Sequence, residues 1–168
     1  MSNNGRNSVV RLNQHFLKDE SALEQIVSLS EIEPHETVLE IGPGRGPLTS
    51  RIAKRAKKVL AIEADTRLKT ELDALQAQYP NVSIIYGDAL EMRFPKFDRI
   101  VANIPFNITE PLIMKLMGEK FVGAYLLVGE SFANNCTAIG DSTTRLGLLT
   151  IAYFRTEQLL QVPKESFE

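Results

Sequence analysis

Short apolar segments of five or six residues alternate with amphipathic stretches along most of the chain, and this alternation limits the fold more than any other feature. Apolar segments of this length predict buried strands, and the stretches between them predict helices. The predicted strands are Thr37–Ile41, Lys58–Glu63, Val82–Tyr86, Phe97–Ala102, Gly123–Val128 and Gln158–Val162. The predicted helices are Asp19–Ser30, Pro47–Ala56, Thr66–Gln78, Glu110–Met117 and Leu146–Phe154. The pattern therefore predicts an α/β fold with a mainly parallel sheet and helices on both faces.

The composition fits one globular domain. The chain has 168 residues, a net charge of -2 and 43% hydrophobic residues, which excludes a disordered chain. No segment has the roughly 18 consecutive apolar residues of a membrane span, so we expect no membrane association. The single Cys136 forms no internal disulfide, which predicts a cytoplasmic protein, and His15 and His35 lack the spacing of metal ligands.

Glycines follow the first predicted strand, in the sequence EIGPGRG at positions 40–46. Glycine permits a tight turn and a close approach of the backbone to a ligand. The dinucleotide-binding fingerprint requires a third glycine at position 47, where this chain has Pro47. On these residues alone, a plain turn and a ligand site are equally good interpretations. Ligands of parallel sheets bind beyond the carboxyl ends of the strands, so the other strand ends must decide.

Carboxylates follow the next two predicted strands. Glu63 ends the second strand, where an acidic side chain can accept hydrogen bonds from both hydroxyls of a ribose. Asp88 follows the third strand within Gly87-Asp88-Ala89 and is suited to the amine of an adenine ring. A solvated acid at a strand end is the alternative for each. Glycine-rich, acidic and acidic strand ends in this order favour S-adenosylmethionine over a nicotinamide cofactor.

The sequence Asn103-Ile104-Pro105-Phe106 follows the fourth predicted strand and is the most specific feature of the chain. The amine of a nucleobase is a poor nucleophile because its lone pair is delocalised into the ring. Acceptors for both amine protons favour the localised lone pair that the transition state needs. The Asn103 side-chain oxygen and the carbonyl of Ile104 or Pro105 provide such acceptors, and Phe106 is placed to stack on a flipped base. A tight turn with a core Phe is the alternative.

These segments resemble the rRNA adenine N6-dimethyltransferases, which comprise the small-subunit dimethylases and the erythromycin-resistance methylases. The resemblance runs from about residue 12 to residue 167 and rests on four segments in order: NQHFL (13–17), EIGPGRGPLT (40–49), GDAL (87–90) and NIPF (103–106). The ending VPKESF (162–167) also resembles the segment before the family's Pro-rich motif. The resemblance implies a Rossmann-like class I S-adenosylmethionine methyltransferase fold and two successive methyl transfers to one adenosine amine of ribosomal RNA.

The resemblance also implies roles for individual residues. The implied S-adenosylmethionine contacts are His15, Leu17, Gly42, Gly44, Glu63, Asp88, Ala89 and Asn103. The implied residues of the reaction are Asn103 and Pro105 at the amine, with Phe106 and Phe167 on the two faces of the target base. The expected partner is ribosomal RNA or a pre-ribosomal subunit.

The chain departs from the family pattern in three places. Phe106 replaces the more usual Tyr, which keeps the ring face and removes a hydroxyl. The sequence VGESF at 128–132 stands where the small-subunit enzymes have Gln-Lys-Glu, and residues 133–144 contain no basic residue. This second departure favours the resistance-methylase branch. The third is the ending, because the family continues into a Pro-rich turn, another strand and a helical domain.

These observations predict a flexible arm over residues 1–12 and a catalytic domain over residues 13–168, without the last strand and the C-terminal RNA-binding domain. We expect a monomer in which Gln158–Val162 is an exposed edge open to self-association. Two other functions remain open. One is transfer to a DNA adenine or a protein glutamine, and the other is a methyltransferase fold that serves ribosome assembly or transcription without catalysis.

Overall fold

The computed structural model describes residues 16–137 and 144–168, which contain a five-stranded parallel sheet. Its strands are β1 (Thr37–Ile41), β2 (Lys58–Glu63), β3 (Val82–Tyr86), β4 (Arg99–Asn103) and β5 (Gly123–Leu127). The spatial order is β3-β2-β1-β4-β5, so the chain order reverses between β1 and β4. Ligands of such sheets bind beyond the carboxyl ends of the strands at this reversal. The predicted α/β fold is confirmed.

Helices cover both faces of the sheet. They are α1 (Glu20–Leu29), α2 (Pro47–Ala53), α3 (Lys69–Gln78), α4 (Thr109–Leu116), α5 (Glu130–Thr137) and α6 (Arg145–Tyr153). The Asp19 carboxylate begins α1 by accepting hydrogen bonds from the backbone N–H groups of Ser21 and Ala22, at 2.9 and 3.1 Å. Residues 66–68 form one 3₁₀ turn that leads into α3.

Alternate residues of the central strands enter two separate hydrophobic cores. Val38 of β1 packs in a core with Leu23 of α1 and Ile52 of α2. Its neighbour Leu39 points to the opposite face and packs in a core with Leu112 of α4. Each of these five side chains is at most 1% exposed. The strands are apolar on both faces because both faces are covered, as the sequence predicts.

Two expectations about local structure are wrong. Gln158–Val162 is not a strand in the part of the chain that the structure describes, where β3 and β5 are the outer strands of the sheet. Val162 nevertheless packs against the core that contains Leu23, whereas Leu159 is 48% exposed. The expected exposed edge at Gln158–Val162 is therefore wrong too. The polar segment after residue 130 also begins with α5, which the sequence pattern does not predict.

Candidate active site

The turn between β1 and α2 has a backbone that requires glycine. Gly42, Gly44 and Gly46 have φ angles of +70°, +59° and +84°, in the region that side chains disfavour. Space is limited as well, because a Cβ on Gly44 would lie 2.8 Å from Cε1 of Phe16. The Phe16 ring therefore packs on Gly44, which is buried, while Gly42 is half-buried at the carboxyl end of β1.

Glu63 ends β2 beside this turn and is 2% exposed. One carboxylate oxygen accepts a hydrogen bond from the Gly44 N–H at 3.1 Å, and the other accepts one from the Asp65 N–H at 2.8 Å. Burial raises the pKa of Glu63, while these two hydrogen bonds oppose the shift. Each oxygen has a second lone pair, so the side chain retains acceptor capacity for a ligand hydroxyl.

Glu40 is a site candidate that the sequence reasoning missed. It lies on β1, is 1% exposed, and its Oε2 has no hydrogen-bond partner among the described residues. Burial raises the pKa of Glu40 to about 8; the Thr49 hydroxyl opposes this rise, and the nearby Glu63 adds to it. The signal available in the sequence was a charged residue inside an apolar strand, two residues before Gly42. A buried polar atom without a partner requires an explanation, and a bound ligand that contacts Glu40 would provide one.

Asp88 and Ala89 form the turn that follows β3. Asp88 is exposed, and its Oδ1 accepts a hydrogen bond from the Leu90 N–H at 2.8 Å, which closes the turn. Ala89 is buried, with 5% of its surface exposed. The structure thus places both residues at the carboxyl end of β3, next in the sheet to the end of β2 that carries Glu63.

The turn after β4 faces the glycine turn of β1. A Cβ on Gly42 would lie 3.7 Å from Cδ of Pro105 and 4.0 Å from the Asn103 carbonyl oxygen. The Pro105 carbonyl accepts hydrogen bonds from the Ile108 N–H at 3.1 Å and the Thr109 hydroxyl at 3.2 Å. Phe106 is 59% exposed, so its ring is not the core aromatic of the alternative interpretation.

The segments at residues 16–19 and 163–168 are joined to each other beside these turns. Leu17 and Phe167 form an antiparallel bridge, and the Glu168 N–H donates to the Phe16 carbonyl at 2.9 Å. Both segments border a cavity of about 1290 Å³ that continues along β5. The cavity also contacts the following candidate residues: Glu40, Gly42, Gly44, Asn103, Pro105 and Phe106.

Other predicted residues lie apart from this cavity. Glu63, Asp88 and Ala89 do not line it, although they occupy the adjacent strand ends. His15 lies outside the described residues, and its predicted cofactor contact stays a prediction. Residues 16–137 and 144–168 contain no group of His, Cys, Asp and Glu side chains fit to bind a metal. The same two ranges contain no helix that is both long and apolar enough to cross a membrane.

Known proteins resemble this chain in sequence. The probable ribosomal RNA small subunit methyltransferase A of Methanosarcina mazei is 39% identical over 157 residues, which cover 92% of this chain and 58% of the relative. The protein of the same name from Pyrococcus abyssi is 37% identical over 161 residues, covering 94% of this chain and 59% of the relative. The chain therefore spans somewhat more than half the length of these relatives.

Two solved structures resemble this chain in fold. A dimethyladenosine transferase from Plasmodium falciparum superposes with a TM-score of 0.69 and 37% identity, over 74% of this chain and 47% of that protein. The 23S rRNA methyltransferase ErmE superposes with a TM-score of 0.71 and 30% identity, over 81% of this chain and 57% of that protein. A family model described as ribosomal RNA adenine dimethylase matches residues 5–168. The chain belongs to the ribosomal RNA adenine dimethylase family.

Proposed function

We propose that this chain is the catalytic domain of an S-adenosylmethionine-dependent rRNA adenine N6-methyltransferase that dimethylates one adenosine. The observation that carries the proposal is the close approach of two turns at the reversal of the sheet. A Cβ on Gly42 of the proposed cofactor turn would be in van der Waals contact with the Pro105 ring, in the turn that carries Asn103. The proposed cofactor site and the proposed site of the target amine therefore adjoin, as methyl transfer from one to the other requires.

The residues present fit S-adenosylmethionine. When bound, this cofactor supplies a methyl group on a positively charged sulfur. The left-handed turn through Gly42 and Gly44 would bind its methionine part, close in the chain to Glu40, whose Oε2 has no partner among the described residues. Glu63 would accept the ribose hydroxyls on its remaining lone pairs, and Asp88 with Ala89 would hold the adenine ring. Leu17 and His15 would contact the cofactor from the N-terminal side.

The turn after β4 would hold the target amine by two acceptors. The Asn103 side-chain oxygen would accept one amine proton, and a backbone carbonyl would accept the other. The backbone carbonyl of either Ile104 or Pro105 could be this second acceptor. That of Pro105 already accepts two hydrogen bonds from the residues that follow it. We therefore favour the Ile104 carbonyl, with Pro105 fixing the backbone angle that directs it. After transfer, the methylated amine is acidic and loses its proton to water without a dedicated base.

Aromatic rings would bind the target base. Phe106 is exposed enough to stack on a nucleobase, and base stacking on aromatic side chains is typical of single-stranded RNA recognition. Phe167 borders the same cavity and would contact the opposite face of the base. Phe106 lies only three residues after Asn103 in the same short turn. One turn would therefore both bind the base and activate its amine.

Small-subunit ribosomal RNA, or a pre-ribosomal particle that contains it, is the substrate class that we favour. Both curated relatives described above are named as small-subunit methyltransferases, at 39% and 37% identity. This preference differs from the resistance-methylase branch that the sequence departures favour. A monomer that acts in the cytoplasm is part of the same proposal.

The proposal is tested by calorimetry with S-adenosylmethionine, followed by methyl transfer to naked ribosomal RNA and to isolated subunits. We expect cofactor binding and transfer to an adenine amine. The variant Asn103→Ala should bind the cofactor yet lose transfer, whereas Asn107→Ala, an exposed asparagine just beyond the turn, should keep it. Absence of cofactor binding would overturn the proposal. Binding without transfer to any RNA would favour the non-catalytic function, and transfer to DNA or protein glutamine would identify a different acceptor.

A further inference from the structure

The ammonium group of Lys115 reaches from α4 to the turn that follows β3. Its Nζ donates hydrogen bonds to the carbonyl oxygens of Ala89 at 2.7 Å and Leu90 at 3.2 Å, and to that of Met92. An ammonium group has three N–H donors and no acceptor. The three carbonyls therefore match the complete donor set of one lysine.

The Lys115 ammonium also lies over an aromatic ring. Its Nζ is 4.3 Å from the centroid of Phe94, whose side chain is buried in the core at the end of the same loop. A ring face attracts a cation, so Phe94 adds to the stabilisation of this charge. Converging carbonyl dipoles repel one another without such a cation, which makes the conformation of this turn depend on the ammonium group.

Internal hydrogen bonds of the turn are few and local. The Asp88 carbonyl accepts the N–H groups of Glu91 and Met92, each at 3.1 Å, and Asp88 Oδ1 accepts that of Leu90. These bonds close the turn on itself. Apolar packing also holds the turn, because Ala89 is buried in the core that contains Leu112 and Leu116 of α4. Lys115 adds to this packing a directional polar contact between the turn and α4.

Helix α4 begins directly after the turn that carries Asn103. Thr109, its first residue, donates its hydroxyl to the Pro105 carbonyl, and Leu112 and Leu116 are buried in the core that also contains Ile104. The position of Lys115 is thus tied to the Asn103–Phe106 turn through a short helix with one buried face. Lys115 therefore connects the turn of residues 88–92 to the Asn103–Phe106 turn, and the proposed reaction needs both.

We propose that Lys115 is a positioning residue that holds the residue 88–92 turn in the conformation that receives the adenine ring of the cofactor. This inference rests on the proposed function, since it concerns the same cofactor site. Lys115 acts through three backbone carbonyls and not on the reacting atoms. Its loss therefore weakens cofactor binding more than it slows the chemical step.

The test compares Lys115→Met, which keeps the length of the stem without its donors, with Lys115→Arg, which retains several donors and the charge. The matched control is Lys96→Met, because Lys96 is an exposed lysine on the loop between β3 and β4. We expect Lys115→Met to raise the calorimetric Kd for S-adenosylmethionine about tenfold to a hundredfold. At saturating cofactor its kcat should stay within about twofold of wild type, and Lys115→Arg should recover most of the affinity.

Hydrogen exchange of the Leu90, Glu91 and Met92 amides in the ligand-free protein provides a second readout. We expect about tenfold faster exchange in Lys115→Met and no change in Lys96→Met. A folded Lys115→Met protein with the affinity and exchange of Lys96→Met would overturn the inference, as would a loss confined to kcat. If Lys115→Met does not fold, Lys115→Gln is measured in its place. If wild type binds no cofactor, the proposed function fails and so does the cofactor role of Lys115, while faster exchange would still show that it holds the turn.

Discussion

The backbone N–H of Gly44 donates a hydrogen bond to Oε2 of Glu63 at 3.1 Å, which joins the turn after β1 to the end of β2. The bond is buried, and Glu63 is 2% exposed. One carboxylate therefore shapes the glycine turn and remains available, through its second lone pairs, to the ribose of the proposed cofactor. Under the proposed function, turn geometry and ribose recognition therefore depend on the same side chain.

Replacing Glu63 by Gln should weaken cofactor binding without unfolding the protein. A Gln amide has one acceptor oxygen, so the N–H of either Gly44 or Asp65 loses its partner, and a charged acceptor for the ribose is lost. We expect the calorimetric Kd for S-adenosylmethionine to rise about tenfold to a hundredfold. Glu71→Gln, at an exposed position of α3, is the matched control and should bind as wild type does. An unchanged Kd in Glu63→Gln would contradict the ribose role.

Glu40 should make the stability of the ligand-free protein fall as the pH rises. Its pKa is about 8 in the folded protein, against an ordinary value of 4.5, because burial disfavours the carboxylate. Below pH 4.5 the group is protonated in both states and carries no penalty. Between these two pKa values the folded state holds a proton that the unfolded chain releases, so unfolding becomes easier with each pH unit.

The measurement is urea unfolding of wild type and Glu40→Gln from pH 5 to pH 8. The stability of the variant relative to wild type should rise with pH, by at most about 1.4 kcal/mol for each pH unit. The Glu63 carboxyl is present in both proteins, although its coupling to Glu40 is lost in the variant. Glu71→Gln again serves as the control. Parallel pH profiles for wild type and Glu40→Gln would show that Glu40 ionises normally.

Phe106 should contribute to binding of the target base and little to folding. Its ring is 59% exposed and lies against Gly129, where an added Cβ would be 3.5 Å away. Stacking of a base on an aromatic ring is worth about 1–3 kcal/mol, so Phe106→Ala should lower kcat/KM for RNA about tenfold to a hundredfold. Phe106→Tyr should retain activity because it keeps the ring face.

Tyr153→Ala is the matched control for Phe106→Ala, since Tyr153 of α6 is exposed to a similar degree, at 62%. Both alanine variants should unfold within about 1 kcal/mol of wild type. An equal loss of activity in the two variants, or none in Phe106→Ala, would contradict the stacking role.

The strands were predictable because each is a short apolar segment, and the central strands β1 and β2 are buried on both faces. The segments Thr37–Ile41 and Lys58–Glu63 match β1 and β2 in both bounds, and their ends place Gly42 and Glu63 together. Gln158–Val162 has a similar pattern but pairs with no strand among the described residues. The local pattern of apolar residues cannot reveal whether a neighbouring strand is present to form the hydrogen bonds of a sheet.

Contacts between distant segments were not predictable from the sequence. Nothing around Lys115 indicates that its ammonium meets the carbonyls of residues 89, 90 and 92, because that contact follows from how α4 packs on the sheet. That Glu40 Oε2 has no hydrogen-bond partner within residues 16–137 and 144–168 likewise becomes evident only from the fold. The residue types of the site were predictable, whereas burial and pairing required the fold.

Arg99 and Glu36 form a buried ion pair at the amino end of the sheet, opposite the proposed site. The Arg99 Nε and one terminal nitrogen each donate to a Glu36 oxygen at 2.8 Å, and the two residues are 5% and 3% exposed. Removing one partner leaves the other charge buried and uncompensated. Arg99→Met should therefore lower the free energy of unfolding by about 3–5 kcal/mol in urea titrations at pH 7.

Protonation of Glu36 should have a similar effect at low pH. The Arg99 guanidinium lowers the pKa of Glu36 below its ordinary value of 4.5. The stabilisation from the pair is therefore complete above pH 4.5 and is lost as the pH falls through the folded-state pKa.

The double variant Glu36→Gln with Arg99→Met should lose much less stability than the sum of the single variants, because no unpaired charge remains. Additive losses would contradict a coupled pair, and a change in cofactor Kd in any folded variant would contradict its separation from the site.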